Sequence, residues 1–124
     1  MIDLFGHVVE MVGAVDDLEG RVYSDYPARV PSREPYAVVS EIGNTSEFIS
    51  DGVEVIASMT YSVDIFAPAR ADCRRIASDI CTIAARHNGH RVGLFDGFSE
   101  AGTKLSRINL TLRFRADRRG ATYS

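Results

Sequence analysis

From residue 53 to residue 66 apolar and polar side chains alternate. Val53, Val55, Ala57, Met59, Tyr61, Val63 and Ile65 fall on one side, and Glu54, Ser58, Thr60, Ser62 and Asp64 on the other, with Ile56 and Phe66 as apolar exceptions. A period of two belongs to a strand with one buried and one wet face. At roughly 3.3 Å per residue the run spans about 45 Å, although strands usually hold about 5–6 residues. A second run, over residues 105–114, alternates as cleanly. Ile108, Leu110, Leu112 and Phe114 point inward, while Arg107, Asn109, Thr111, Arg113 and the following Arg115 point outward.

Three- and four-residue spacing marks two helices. Phe5, Val8, Val9, Val12 and Val15 make one apolar stripe within residues 2–18. Gly6 and Gly13 each weaken that helix by roughly 1 kcal/mol relative to alanine, so it needs packing to persist; Gly20 supplies its stop. Pro68 opens the second helix, where its missing N–H costs little. Cys73, Ile76, Ala77, Ile80, Ile83 and Ala84 form the buried stripe, Arg70, Arg74, Arg75 and Asp79 face solvent, and Asn88-Gly89 ends the helix with a left-handed cap.

The remaining segments are shorter or irregular. Residues 21–23 read as a short strand and residues 36–42 as a longer one. Between them Pro27, Pro31 and Pro35 define an extended crossing, since proline cannot join a central ladder. Residues 44–52 read as a mobile loop or hairpin arm with Phe48 and Ile49 at its tip. Residues 90–98 are a weaker strand, and residues 97–104 a hairpin connection. The expectation is an α+β domain over residues 1–116: a mostly antiparallel sheet with a long central strand and two helices on one face, followed by a flexible tail at 117–124.

At 124 residues the chain suffices for one modest core. Its net charge of −3 gives no whole-chain attraction to nucleic acid, so any such contact must be local. No apolar stretch approaches the roughly 18 residues of a membrane span. Acids from Asp3 onward and the lack of a basic leader argue against a signal peptide. Cys73 and Cys81, eight residues apart on the second helix, would lie about 12 Å apart along its axis. A disulfide tolerates about 7 Å between Cα atoms, so two buried, unpaired thiols are expected.

Catalytic chemistry finds little support. Neither G-x-G-x-x-G, a Walker loop, H-E-x-x-H nor G-x-S-x-G occurs. Gly93, Gly97 and Gly102 bridge no strand to a helix start, so they read as turn residues. His87 and His90 are separated by the helix-ending Asn88-Gly89, and with Cys81 they make an incomplete metal set. Asp16, Asp17, Glu19, Asp25 and Asp51 flank loops and a helix end as solvated carboxylates. Arg107, Arg113 and Arg115, followed by Arg118 and Arg119, make a basic stripe on an otherwise acidic chain. Two readings stay open for it: edge charges that deter aggregation, or contact with DNA phosphate or an acidic partner. No aromatic residue interleaves with the arginines, which disfavours stacking on single strands.

The order of these elements, carried by GRVYSDYPARVPSREPYAVVSEIG, MTYSVDIFAPARADCRRIASDI and SRINLTLRFRAD, resembles the tail-terminator, or tail-completion, family of long-tailed bacteriophages. The resemblance covers residues 1–116. It implies a homohexameric ring that closes the head-proximal end of the tail tube, contacts the tube protein and a head-side connector or stopper, and lets DNA through its lumen. No cofactor, membrane or catalytic residue is implied, and the location would be the virion, assembled in the host cytoplasm. Under this reading Tyr61 and Asp64 on the long strand, with Phe48 and Ile49 on the arm, contact a neighbouring subunit or partner. Arg107, Arg113 and Arg115 face the lumen or a subunit contact. The sequence also permits another ring subunit of the neck or tube, or a small ligand-binding or hydrolytic domain with Cys81, His87 and His90 near a pocket. A domain with an overlong strand and exposed apolar residues has surface that it cannot bury alone.

Overall fold

The computed structural model describes residues 1–24, 34–97 and 105–123. Helix α1 (Phe5–Gly13) is followed by a 3-10 turn (Asp16–Leu18) and the short strand β1 (Val22–Tyr23). Strands β2 (Tyr36–Ser50) and β3 (Val53–Ala67) precede helix α2 (Arg70–Arg86), and β4 (His90–Gly97), β5 (Ser106–Asp117) and β6 (Thr122–Tyr123) complete the chain. The sheet order is β1-β2-β3-β5-β4, with β6 on β5; β1 pairs parallel with β2 and every other pair is antiparallel. This is the expected α+β architecture with a long central strand, its two helices packed on one face. The crossing at Pro27 and Pro31 and most of the 97–104 connection lie outside the described residues.

The helix-covered core follows the period-two pattern closely. Ala57, Met59, Tyr61, Val63, Ile65 and Ala67 of β3 meet Ile108, Leu110, Leu112, Phe114 and Ala116 of β5, and all are buried. From α2 come Cys73, Ile76, Ala77, Ile80 and Ala84, and from α1 Val8, Met11 and Val12. Ile83 is only partly buried at the margin. On the opposite face Tyr36, Val38 and Leu105 form a second, smaller apolar cluster with Tyr23 and Phe66.

Asn88 (φ 62°) ends α2 as expected. The Gly89 N–H donates to the Ala84 carbonyl (2.8 Å) and the Asn88 N–H to the Ala85 carbonyl (3.2 Å), which is the Schellman pattern. Gly89 is required by packing: a Cβ there would fall 2.5 Å from the Phe114 ring. Pro68 lies one residue outside the N-cap, Ala69, rather than in the first turn.

Two expectations are corrected and one is narrowed. The first helix is shorter than residues 2–18, ending at Gly13 before the separate 3-10 turn, in keeping with its glycines. Of the two readings of residues 44–52, loop or hairpin arm, the structure has the arm: β2 runs on to Ser50 and turns through Asp51 and Gly52 (φ 52° and 75°) directly into β3. Positive φ at both central residues is the two-residue hairpin turn that Asp-Gly favours. The C-terminal segment also leaves the expected frayed state. Asp117 accepts from the Arg119 and Ala121 N–H groups and from the Tyr123 hydroxyl, while Asn88 donates to the Thr122 carbonyl. Those bonds hold β6 against β5.

Candidate assembly surfaces

The β2–β3 hairpin divides into a packed base and an exposed arm. Tyr36 to Val39 of β2 are buried, whereas residues 44–50 are half-buried or exposed. Bulges at Ile42, Glu47 and Val55 interrupt the ladder along the arm. Each bulge reverses the side-chain parity beyond it and adds twist. Ile42 (59% exposed), Phe48 (55%) and Ile49 (59%) are left in solvent. The arm is braced on the N-terminal segment: the Ile2 N–H donates to Glu54 Oε1 (2.7 Å) and Asn44 Nδ2 to the Ile2 carbonyl (2.8 Å). The Ser46 hydroxyl donates to the other Glu54 oxygen. These bonds, Ser46 first, hold the Glu54 carboxyl below its ordinary value.

Phe48 and Ile49 are therefore presented as the sequence suggested, on a strand. Tyr61 is not available to a partner. It is fully buried, its ring centroid 6.2 Å from Phe5 and 6.1 Å from Phe114. Burial, with the carboxylates of Glu41 and Asp3 nearby, pushes its phenol well up. Asp64 is likewise corrected as a contact residue. Only 8% exposed, it accepts from Asn109 Nδ2 (2.7 Å) and Arg107 (3.1 Å), and Asn109 also donates to the Ser62 hydroxyl (2.8 Å). A buried carboxylate is tolerated when its charge is paired and hydrogen-bonded in this way.

The basic stripe is partly neutralised within the domain. Arg107 pairs with Asp64 and lies over the Phe66 ring, 5.7 Å from its centroid. Arg115 reaches Glu47 at 2.6 Å, where the bulge aims that carboxylate across β3. Arg113 is exposed and enters no ion pair among the described residues. Arg118 and Arg119 are exposed on the turn leading to β6.

One surface escaped the sequence reading. Strand β4 is an edge, and it exposes Val92 (48%), Leu94 (41%) and Phe95 (65%). A bulge at Val92 breaks its alternation, so apolar residues appear on both of its faces. Arg70 and Arg74 of α2 converge on Asp96 near its end, at 2.6 and 3.1 Å. The helix face offers a shallow groove of about 430 Å³ lined by Val15, Asp17, Arg75, Asp79, Ile83 and Arg86, in which Arg75 is already tied to Asp17 and Asp72.

Among the described residues no three potential metal ligands come together. His87 packs edge-on against His7, with centroids 5.3 Å apart. Both cysteines are free, and Cys73, buried beneath α2, donates to the Ser106 carbonyl and has its thiol pushed up to about 11 by burial. Among the described residues no helix is long and apolar enough to cross a membrane. No protein-family model matches the chain, and no curated protein matches it.

Proposed function

We propose that the chain is a non-enzymatic, ring-forming virion subunit of the tail-terminator type. It would close the head-proximal end of a phage tail tube and join it to the head-side connector. The observation that carries this reading is the hairpin arm: two 15-residue strands continue beyond the helix-packed core and present Phe48 and Ile49 to solvent. A soluble domain gains nothing by exposing large apolar residues on a rigid, braced arm unless another surface covers them. A closed ring supplies identical neighbours without open-ended growth. The choice of terminator over another ring subunit comes from the resemblance in the residue 1–116 element order. With Arg107 and Arg115 engaged locally, Arg113, with the following Arg118 and Arg119, is left for DNA phosphate in the lumen.

Light scattering over a concentration series, with negative-stain images of the largest species, tests this directly. Hexameric rings with a central hole are expected. Ser at both Phe48 and Ile49 should reduce the particle to smaller species while its circular dichroism stays unchanged. A wild-type chain that remains monomeric at every concentration and on addition of tail tubes overturns the proposal.

A further inference from the structure

The sheet ends in two unlike open edges. Among the described residues, β1 covers only Ala37 and Val38 on one side, leaving β2 bare from Val39 to Ser50. On the other, β4 has β5 on one flank and no described strand on the next. Among the described residues, no backbone group of residues 39–50 or 90–97 bonds to anything beyond its own strand pairing. Each edge is therefore a row of donors and acceptors that can template another strand.

Both edges lack two of the usual protections. Neither YAVVSEIGNTSEFIS nor HRVGLFDG contains a lysine or proline, the residues that commonly blunt an edge. The bulges at Ile42 and Val92 bend the edges without covering them. Each carries exposed apolar side chains, Ile42 with Phe48 and Ile49 on β2, and Val92 with Leu94 and Phe95 on β4.

Charge tells the two edges apart. The bare length of β2 contributes Glu41 and Glu47 and no basic residue, and Glu47 is engaged with Arg115. Strand β4 contributes Arg91 and, toward its other end, Asp96, which is engaged with Arg70 and Arg74 of α2. Glu41 stands opposite Tyr61 and Arg91 opposite Leu112, so both lie toward the helix-covered side of the sheet and both are exposed. Joining two β4 edges would bring Arg91 against Arg91, and joining two β2 edges Glu41 against Glu41; like charges across a pair are destabilising. Joining β4 to β2 sets Arg91 and Glu41 on one face.

We infer that the β4 edge of one copy pairs with the β2 edge of a second copy, continuing the sheet across the subunit boundary. The inference rests on the ring reading and specifies its contact. It is heterologous, and it can match up to the eight residues of β4 against the longer bare stretch of β2. A heterologous contact repeated around an axis makes a ring when its rotation closes.

Two full-length double variants test it. Val92→Lys/Phe95→Lys blocks the β4 edge, and Glu41→Lys/Ile42→Lys blocks the β2 edge. All four positions are exposed, so wild-type circular dichroism and melting are expected. Each variant alone should be monomeric. An equimolar mixture should double in mass to a dimer and stop, because one intact β2 edge meets one intact β4 edge and the remaining edges both carry lysines. Variants that form wild-type rings on their own, or a mixture that stays monomeric, overturn the edge pairing while leaving the ring standing. A wild-type chain that never assembles overturns both. Should lysine unfold either variant, serine at the same positions gives the same mixing readout.

Discussion

The two halves of the β2–β3 hairpin share a backbone geometry and differ in almost everything else. At the base, Ala37 and Val39 of β2 and Ala57 to Ile65 on the helix side of β3 are fully buried against α1, α2 and β5. Along the arm the same strands carry three bulges and exposed Ile42, Phe48 and Ile49. The base is held by packing, the arm by its ladder, an Asp51-Gly52 turn and polar bonds to the N-terminal segment. Strand length alone therefore does not define a core. What makes the base a core is a second layer, and the arm has none among the described residues.

The sharpest way to break this comparison is to remove packing from the base. Phe114→Ala should cost about 3–5 kcal/mol, the usual penalty for deleting a buried aromatic ring. It should also make room at the turn after α2, because a Cβ at Gly89 would fall 2.5 Å from that ring. Gly89→Ala alone should cost about 1–3 kcal/mol by overpacking. Most of that loss should disappear in a Phe114→Leu background, read by urea unfolding as a double-mutant cycle. On the arm, Ile49→Ala should change stability by no more than about 0.5 kcal/mol, the range for exposed positions. An arm substitution as costly as a base substitution would erase the distinction.

Sequence patterning located the base and left the arm open between a loop and a hairpin, for reasons visible in particular residues. The stripe of α2 and the alternation of β3 and β5 were legible because each buries one continuous face. On β2 the bulges at Ile42 and Glu47 shift side-chain parity, so no run long enough to register as alternating survives there, and on β3 the bulge at Val55 breaks the run read from Val53. The local signal that was overlooked is Asp51-Gly52, a two-residue hairpin turn between apolar neighbours. Asp64 fell on the polar side of its strand and was expected in solvent. Its burial depends on Arg107 and Asn109, which arrive from a strand 43 and 45 residues away. Tyr61 was assigned to the inward face, and its offer as a contact residue ignored the cover that α1 brings through Phe5. The exposed β4 edge lay hidden because Gly93 and the Val92 bulge disrupt its period.

A smaller effect probes how the arm is braced. Glu54 has its carboxyl lowered by the Ser46 hydroxyl and then by the Ile2 N–H. A carboxyl lowered in the folded state contributes stability above its unfolded value of about 4.3, and that contribution is lost as pH falls through the lower folded value. The urea midpoint of the wild type should exceed that of Glu54→Gln at pH 6, and the gap should narrow as the pH is taken toward 3. A gap that stays constant would mean the carboxylate's charge plays no part in holding the arm to the N-terminal segment.

A last small effect belongs to the base, and it separates packing from polar bonding there. The Tyr61 hydroxyl is buried beside the Leu4 backbone and the Glu41 carboxylate, yet it completes no well-formed hydrogen bond among the described residues. A buried hydroxyl without a partner gives back none of its desolvation cost, whereas the ring beneath it packs on Phe5 and Phe114. Tyr61→Phe keeps the ring and removes that cost. The expected result is a neutral or stabilising change of no more than about 1 kcal/mol, measured by urea unfolding at pH 7. A loss of about 1–3 kcal/mol would instead reveal a hydroxyl bond that ties the N-terminal segment to β3. Tyr61 would then belong with Glu54, as part of the brace between the N-terminal segment and the hairpin.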